Sequence, residues 1–531
     1  MKYLLISIIL SNIFYCLHAQ QIQVSSTEEY TNTIQGAHWS RILGQDESGY
    51  YLLREYGPIS NQIIALEKYS PALKLLYTTN IEATSGTFND SRLHRYTEMN
   101  NGKIYVFLEG WNKSQQQNSF LVKEVGQDGS LQAENIVLER EPATGQMKSA
   151  NYKISFSPDG SKLLVLTEKP FVKGGKEAIR LQVFDTDSFR SIWSQDLSLE
   201  NEAEKYPSNS ILLDNQGIAY LFKDIKITYK EHHYQLLTAN GQQSQLSPLD
   251  LAGYSAGQIK LRFDASGKFT LAGTLVPAGK KDTDWQATWY LQADHTGKIL
   301  QHKIQPLGAE LLQLVVSSKS AGQEGYVLEN YALKDILVRP EGGMLMLLEE
   351  QRESKSAIPQ TVPPVDEYNL YFGNVLIISL DEDGNRVWQT VLSKKQNERT
   401  LEKKNCFGSV ACQLKDGKLY LVWNNMEIFN DPPLYKYRYW IDRNGSRINI
   451  DNLYGKEAFY PTLITVIRKD GSFEYADRTF NALPLETIQQ KNAFPMAADP
   501  GFFFTTDKGM IILSRMPGTD SKRYKFNSIL Y

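Results

Sequence analysis

Several stretches of the sequence place reactive residue types at spacings that chemistry uses. Gly253-Tyr254-Ser255-Ala256-Gly257 has the G-x-S-x-G spacing of a nucleophile elbow. That elbow needs a strand before the serine and a helix after it, so that the hydroxyl stands on a strained turn above a sheet. Here a polar loop precedes the motif and the strand-like Ile259 to Phe263 follows it, so no catalytic serine is assigned. His232-His233 stands beside Glu231, but adjacent side chains on a strand point to opposite faces and do not converge on one metal. His295 and His302 bracket a turn with Asp294, which falls short of a full ligand set. Asp381-Glu382-Asp383-Gly384-Asn385 opens like a calcium loop, yet Leu392 stands where the closing glutamate belongs, and a hairpin turn accounts for it. The expectation is no catalytic residue, no metal and no cofactor.

Tryptophan and cysteine offer more. Trp111, Trp285, Trp289, Trp423 and Trp440 fall at or near the connectors that join long apolar runs. Exposed there, they would stack on sugars or anchor a protein partner; otherwise they are core. Cys406 and Cys412 follow the leader. Fully extended, the stretch between them spans ~20 Å, but a turn at Gly408-Ser409 would bring the thiols into disulfide range. The alternative is two buried thiols flanking a strand.

The elements that must position these residues are strands. An apolar run, a tight Gly-containing turn and a second apolar run recur, with turns at Gly49, Gly102, Gly160, Gly217, Gly267, Gly342, Gly417 and Gly509. A second hairpin follows most of them, turning at Ser70-Pro71, Asp128-Gly129, Asp185 to Ser188, Asn240-Gly241, Thr296-Gly297, Asp383-Gly384 and Asn444-Gly445. The unit is four strands, A to D. Strand B is apolar throughout, as in Ile104 to Leu108 and Leu163 to Leu166, so both of its faces are covered. Repeats of four strands at this spacing are propeller blades. The fold expected is all-β, a single β-propeller over 20–531 with seven or eight blades, eight being the count adopted. The last unit is short, and Ile22 to Ser25 would complete it and close the ring. An extra hairpin is read at Asp470-Gly471, inside the widest interval. An outer-membrane barrel is disfavoured, because Lys525 and Asn527 share a face with the terminal Tyr531.

Ser157-Pro158-Asp159-Gly160-Ser161-Lys162-Leu163 resembles the S-P-D-G-x-x-L hairpin of WD-repeat-like and other bacterial propellers. Leu333 to Ile336, Gly342-Gly343, Glu349-Glu350, Val387-Trp388 and Lys395-Gln396 are similar to a pattern in exported bacterial propeller-like repeat proteins. The resemblance implies a propeller and brings no known activity with it.

Residues 1–19 read as a secretory signal: Lys2, an apolar core from Leu4 to Phe14, and a small residue at Ala19 for cleavage. The mature chain is expected to be exported, to the periplasm, the outer-membrane surface or the medium, with no transmembrane segment. With 57 basic and 60 acidic residues and a net charge of −3, nothing recommends a nucleic-acid partner. Long B–C connectors at Glu168 to Glu177, Val276 to Trp285, Arg352 to Tyr368 and Asn424 to Tyr435 give one elaborated face. Arg352 to Tyr368, with three prolines, reads as an extended mobile loop. The function expected is binding or scaffolding of a protein or glycan through that face. The alternatives are a glycan hydrolase or lyase with acids at the central channel and a purely structural repeat.

Overall fold

The computed structural model describes residues 22–31, 38–56, 63–82, 84–87, 90–126, 128–132, 135–145, 149–205, 207–228, 230–358, 365–400, 407–425, 439–441, 447–449, 462–478, 481–484, 497–515 and 523–531. The expected signal segment lies outside these. Among the described residues no helix is long and apolar enough to cross a membrane.

The strands form eight antiparallel four-stranded blades in a ring, an eight-bladed β-propeller. Blade one holds His38–Asp46, Gly49–Tyr56, Ile63–Tyr69 and Leu75–Glu82. Blade two holds Asp90–Asn100, Lys103–Asn112, Gln117–Val125 and Ile136–Pro142, with Thr84–Thr87 added on its inner side. Blades three, four and five run regularly from Asn151–Phe156 to Ser191–Glu202, from Ser208–Leu213 to Ser244–Leu249, and from Tyr254–Phe263 to Ile299–Pro306. Blade six is Tyr331–Val338, Met344–Ile358, Val365–Leu380 and Arg386–Leu392, and blade seven Val410–Lys415, Lys418–Asn424, Thr462–Ile467 and Ala482–Pro484. Blade eight takes Ala497–Thr506, Gly509–Arg515 and Arg523–Leu530 from the C-terminus and Gln23–Ser26 from the N-terminus. The A strands of most neighbouring blades touch, as between blades one and two, three to six in turn, seven and eight, and eight and one, and so line the axis.

All eight A–B turns fall where the glycines place them. The closing strand is also as expected, one residue along: Gln23 pairs with Leu530 and Ser26 with Asn527. One C–D turn is corrected. Blade seven turns at Asp470-Gly471, after Thr462–Ile467, whereas Asn444-Gly445 falls between Tyr439–Ile441 and Arg447–Asn449, a separate two-stranded hairpin. Both dipeptides suit a turn, and only the pairing of the flanking strands to the blade tells them apart.

Strand B is apolar because neighbouring blades cover both its faces. Leu345 and Leu347 pack towards blade seven, while Met344, Met346 and Leu348 pack towards blade five. On the face of the tight turns, aromatic side chains lock one blade to the next. Trp193 Nε1 donates to Gly217 O (3.0 Å), Trp388 Nε1 to Lys469 O (2.8 Å) and Tyr290 Oη to Glu382 O (2.9 Å). The C–D turn of blade four sits on the Trp193 ring at Gly241, whose φ is +85° and where a Cβ would lie 2.6 Å from Trp193. Gly267 has a similar φ, +81°, with nothing within 4 Å.

These two glycines separate backbone strain from inter-blade contact. Gly267→Ala is expected to cost about 1 kcal/mol, the ordinary penalty of a left-handed alanine. Gly241→Ala is expected to cost a further ~1–3 kcal/mol from overpacking, read as the difference in urea midpoints at constant m.

Candidate functional site

The elaboration concentrates on the B–C and D–A face of blades five to seven. The connector from blade five to six carries two short helices, Ala309–Leu312 and Ser318–Ala321, anchored where Trp285 and Leu328 exchange backbone hydrogen bonds (3.0 and 2.9 Å). In blade six, strands B and C continue past the blade. The last pair with strand A is Tyr331 to Glu350, but B and C stay paired from Gln351–Phe372 to Ile358–Val365. Eight further residues at ~3.3 Å each make an arm of about 25 Å. Gln396–Thr400 adds a third strand along Phe372 to Tyr368. The expected mobile loop from Arg352 to Tyr368 is therefore a β-hairpin over its described part. Alternating polar residues satisfy a two-stranded ladder as readily as a loop.

Arg352 lies over the Tyr371 ring (5.3 Å) and Lys355 over the Tyr368 ring (6.0 Å), both across the strand pair. Lys355 also bonds Asp366 at 2.8 Å. The arm thus presents basic and aromatic side chains on a paired backbone, with Arg352 and Lys355 more than half exposed.

At the arm's root, polar side chains are buried between blades six, seven and eight. Glu349 and Lys394 are fully enclosed and pair at 2.8 Å. Ser409 Oγ and Gln351 Nε2 donate to the other Glu349 oxygen (2.5 and 2.7 Å). Burial alone would raise Glu349, but Lys394, Lys334 and the Ser409 hydrogen bond hold it below its ordinary value. Lys394 Nζ reaches Gln396 Oε1 (2.6 Å), and Gln396 Nε2 donates to Asn424 O (2.6 Å). Asn424 Nδ2 then bonds Ala498 O of blade eight (2.6 Å).

Next along the same edge strand stands Glu398, whose Oε2 accepts from the amides of Phe407 (2.7 Å) and Gly408 (3.1 Å). Those amides favour the carboxylate, yet desolvation outweighs them and pushes Glu398 up to about 7. Asp499 and Arg515 pair nearby at 2.6 Å, the Arg515 guanidinium lying 4.9 Å over the Phe407 ring. Burial also raises Asp499, against the pull of Arg515. Gly408 is required for this packing, since a Cβ there would meet the Phe372 ring at 2.0 Å.

The residues singled out from the sequence scatter differently. Trp285, Trp289 and Trp423 are buried core; Trp289 packs among Phe222, Tyr234 and Leu291, and Trp423 Nε1 donates to Thr465 Oγ1 (3.2 Å). They reach no surface, because the next blade covers the strand end that carries them. Trp111 is half-buried at the end of strand B in blade two. Trp440 lies on the two-stranded hairpin, its side chain outside the described residues. Cys412 is a free, buried thiol in the seam between blades six and seven, pushed up to about 12 by burial. Cys406 lies outside the described residues. Ser255 is an ordinary ladder residue opposite Val276, with no helix after it. His232 bonds Asp224 (2.7 Å), His233 faces Glu231 (3.7 Å) and His302 packs on Trp289. Asp381 caps its own turn through the amides of Asp383 and Asn385. The hub around Glu349 and Glu398 was not foreseen. Its one sequence signal is the period of two in Lys394, Gln396 and Glu398, which turns polar groups to one side of the edge strand and of the chain leading into it.

Two outcomes are expected. Lys394→Met leaves Glu349 buried without its cation and should destabilise the fold by about 3–5 kcal/mol in urea titration. Adding Glu349→Leu should recover part of that loss. Glu398 holds its proton more tightly folded than unfolded, so between about pH 4.5 and 7 the native state binds more protons. Stability should therefore fall as pH rises through that window, and Glu398→Gln should flatten the fall in a pH series of melting temperatures.

Comparison of the sequence with family models and with curated proteins gives no match. Among solved structures, the chain is similar to the β-propeller domain of the Trilobed protease from Pyrococcus furiosus, at 11% identity over 70% of this chain and 97% of that one, with TM-score 0.34. It is similar to polysaccharide lyase Uly1 at 8% identity over 95% and 99% of the two chains, with TM-score 0.34. It is also similar to prolyl oligopeptidase B from Galerina marginata, at 8% identity, TM-score 0.37 and 90% of this chain, but spans only 55% of that one. The assignment of an eight-bladed β-propeller rests on the blades themselves.

Proposed function

We propose that this chain is an exported binding propeller that holds a protein or glycan partner on its elaborated face, with the blade-six arm as the main contact. The arm carries the reading. A paired ladder about 25 Å long projects from a rigid ring and displays Arg352 with Tyr371 and Lys355 with Tyr368. Such pairs give flat aromatic area and charge at low cost in side-chain freedom, which suits recognition. Trp111 is a further contact on the same face. Three described buried acids, Glu67, Glu168 and Glu349, are each occupied by a cation and by hydrogen-bond donors, which favours binding over catalysis at them.

Glu398 supports a second reading, a glycan hydrolase or lyase. A carboxyl near neutrality beside a second buried acid is what a general acid needs.

One pair of variants discriminates. On a glycan array and in binding assays with candidate envelope proteins, Arg352→Ala/Tyr371→Ala should lower affinity by at least about tenfold at unchanged melting temperature. Glu398→Gln should leave binding intact. Release of products from a polysaccharide that is abolished by Glu398→Gln and untouched by the arm variant would reverse the assignment.

A further inference from the structure

The blade-six arm has two long edges, and they are finished differently. Along one, Gln396–Thr400 pairs with Phe372 to Tyr368. Along the other, strand A reaches only to Tyr331, opposite Glu350. Gln351 N still donates to Asn330 O (2.7 Å). Asn330, at a φ of +63°, bends the chain off towards Leu328, which bonds Trp285 instead. Among the described residues no strand lies beside Arg352 to Ile358 on that side, over roughly 23 Å. Arg352 to Ser356 are all exposed, so neither face is covered there. An open edge of this length is a template for another strand, which proteins commonly block with proline or a bulge. Neither falls between Arg352 and Ile358.

The charges along this edge do not select a foreign strand of either sign, because Glu350 and Glu353 balance Arg352 and Lys355. They match the edge's own reverse. Antiparallel strands bond through alternate residues. Gln351 faces the open side, so the backbone groups of Glu353, Lys355 and Ala357 do too, while Arg352, Ser354 and Ser356 bond across the hairpin. Two copies laid antiparallel must therefore set odd-numbered residues opposite one another. Centred on Glu353, the pair sets Glu353 against Glu353; centred on Lys355, it sets Lys355 against Lys355. Like charges directly opposite are unfavourable. Centred on Ser354, it sets Glu353 against Lys355 twice.

We propose that the arm pairs with the arm of a second copy of this chain, antiparallel about a two-fold axis at Ser354. Each Glu353–Lys355 pair exchanges two backbone hydrogen bonds, and its side chains meet as opposite charges on one face. Lys355 then lies between Asp366 of its own hairpin (2.8 Å) and the partner's Glu353. The contact is isologous, as a two-fold dimer requires, and it is small, so the dimer is weak and reversible. It uses the arm's backbone edge rather than its aromatic pairs, and so does not rest on the partner binding proposed above.

Sedimentation equilibrium of residues 20–531 should show the mass rising from monomer to dimer over roughly 1–100 µM. Glu353→Lys or Lys355→Glu alone should weaken the dimer at least about tenfold, and Glu353→Lys/Lys355→Glu together should restore it, with the melting temperature reporting an intact ring throughout. In a Cys406→Ser background, Ser354→Cys should oxidise to a covalent dimer, since partners that share no hydrogen bond lie about 4.5 Å apart at Cα. Ser356→Cys, set opposite Arg352, should not. A monomer at every concentration overturns the proposal and leaves the edge to a strand of another protein. So does a link that forms at Ser356→Cys and not at Ser354→Cys, a single reversal without effect, or a double reversal that fails to rescue.

Discussion

Eight blades stand in a ring only if the last is completed by the first residues of the fold. Gln23–Ser26 lies antiparallel along Arg523–Leu530, Ser26 Oγ bonds Asn527 Oδ1 at 2.6 Å, and Thr27 and Phe526 exchange further hydrogen bonds. Tyr30 stacks on Tyr524 at 5.4 Å, and Tyr524 meets Tyr69 and Arg54 of blade one. The Arg54 and Glu67 pair, both nearly inaccessible, sits beneath them at 2.8 Å. Without this strand, blade eight would offer an unpaired edge, and the seam to blade one would lose its partner.

Closure fixes the seams, and the seams repeat one device. A polar group near the B–C end of strand B accepts from residues at the start of the next blade's A strand. Glu109 takes Ser149 Oγ (3.1 Å), Glu168 takes Asn209 Nδ2 (2.8 Å) and Glu349 takes Ser409 Oγ (2.5 Å). Each is also met by a cation: Arg95, Lys153 and Lys394 respectively. Burying a carboxylate costs desolvation that only paired geometry offsets, so these contacts favour one register of blade on blade over its neighbours. Aromatic locks such as Trp193 and Trp388 do the same on the opposite face. Both faces are thereby held, and the blade-six arm projects from a fixed base.

The parts of this fold legible in the sequence are those governed by local rules. Tight turns demand glycine, which placed every A–B turn, and apolar strand B declared burial on both faces. The parts that stayed hidden depend on which strands pair. Arg352 to Tyr368 is polar and proline-bearing, so nothing local separates a loop from a hairpin held by cross-strand contacts. Trp285, Trp289 and Trp423 do lie at or near B–C connectors, but their burial is set by residues of other blades far away in sequence. Glu398 owes its raised proton affinity to burial, with Asp499 adding to it and the 407–408 amides and Arg515 opposing it, a neighbourhood made by closure and by no spacing.

The most direct test is a cross-link across the closing pair. Ser25 and Ser528 are register partners, and antiparallel partners lie ~4.5–5.5 Å apart at Cα, within disulfide range. In Ser25→Cys/Ser528→Cys, oxidation should join the two ends, seen as one linked peptide in a non-reducing digest. The melting temperature should rise and return to the parental value on reduction. Thiols that stay separate under oxidation, or a link that forms only one register away, for example from Ser26→Cys/Ser528→Cys, would contradict the closed eight-bladed ring.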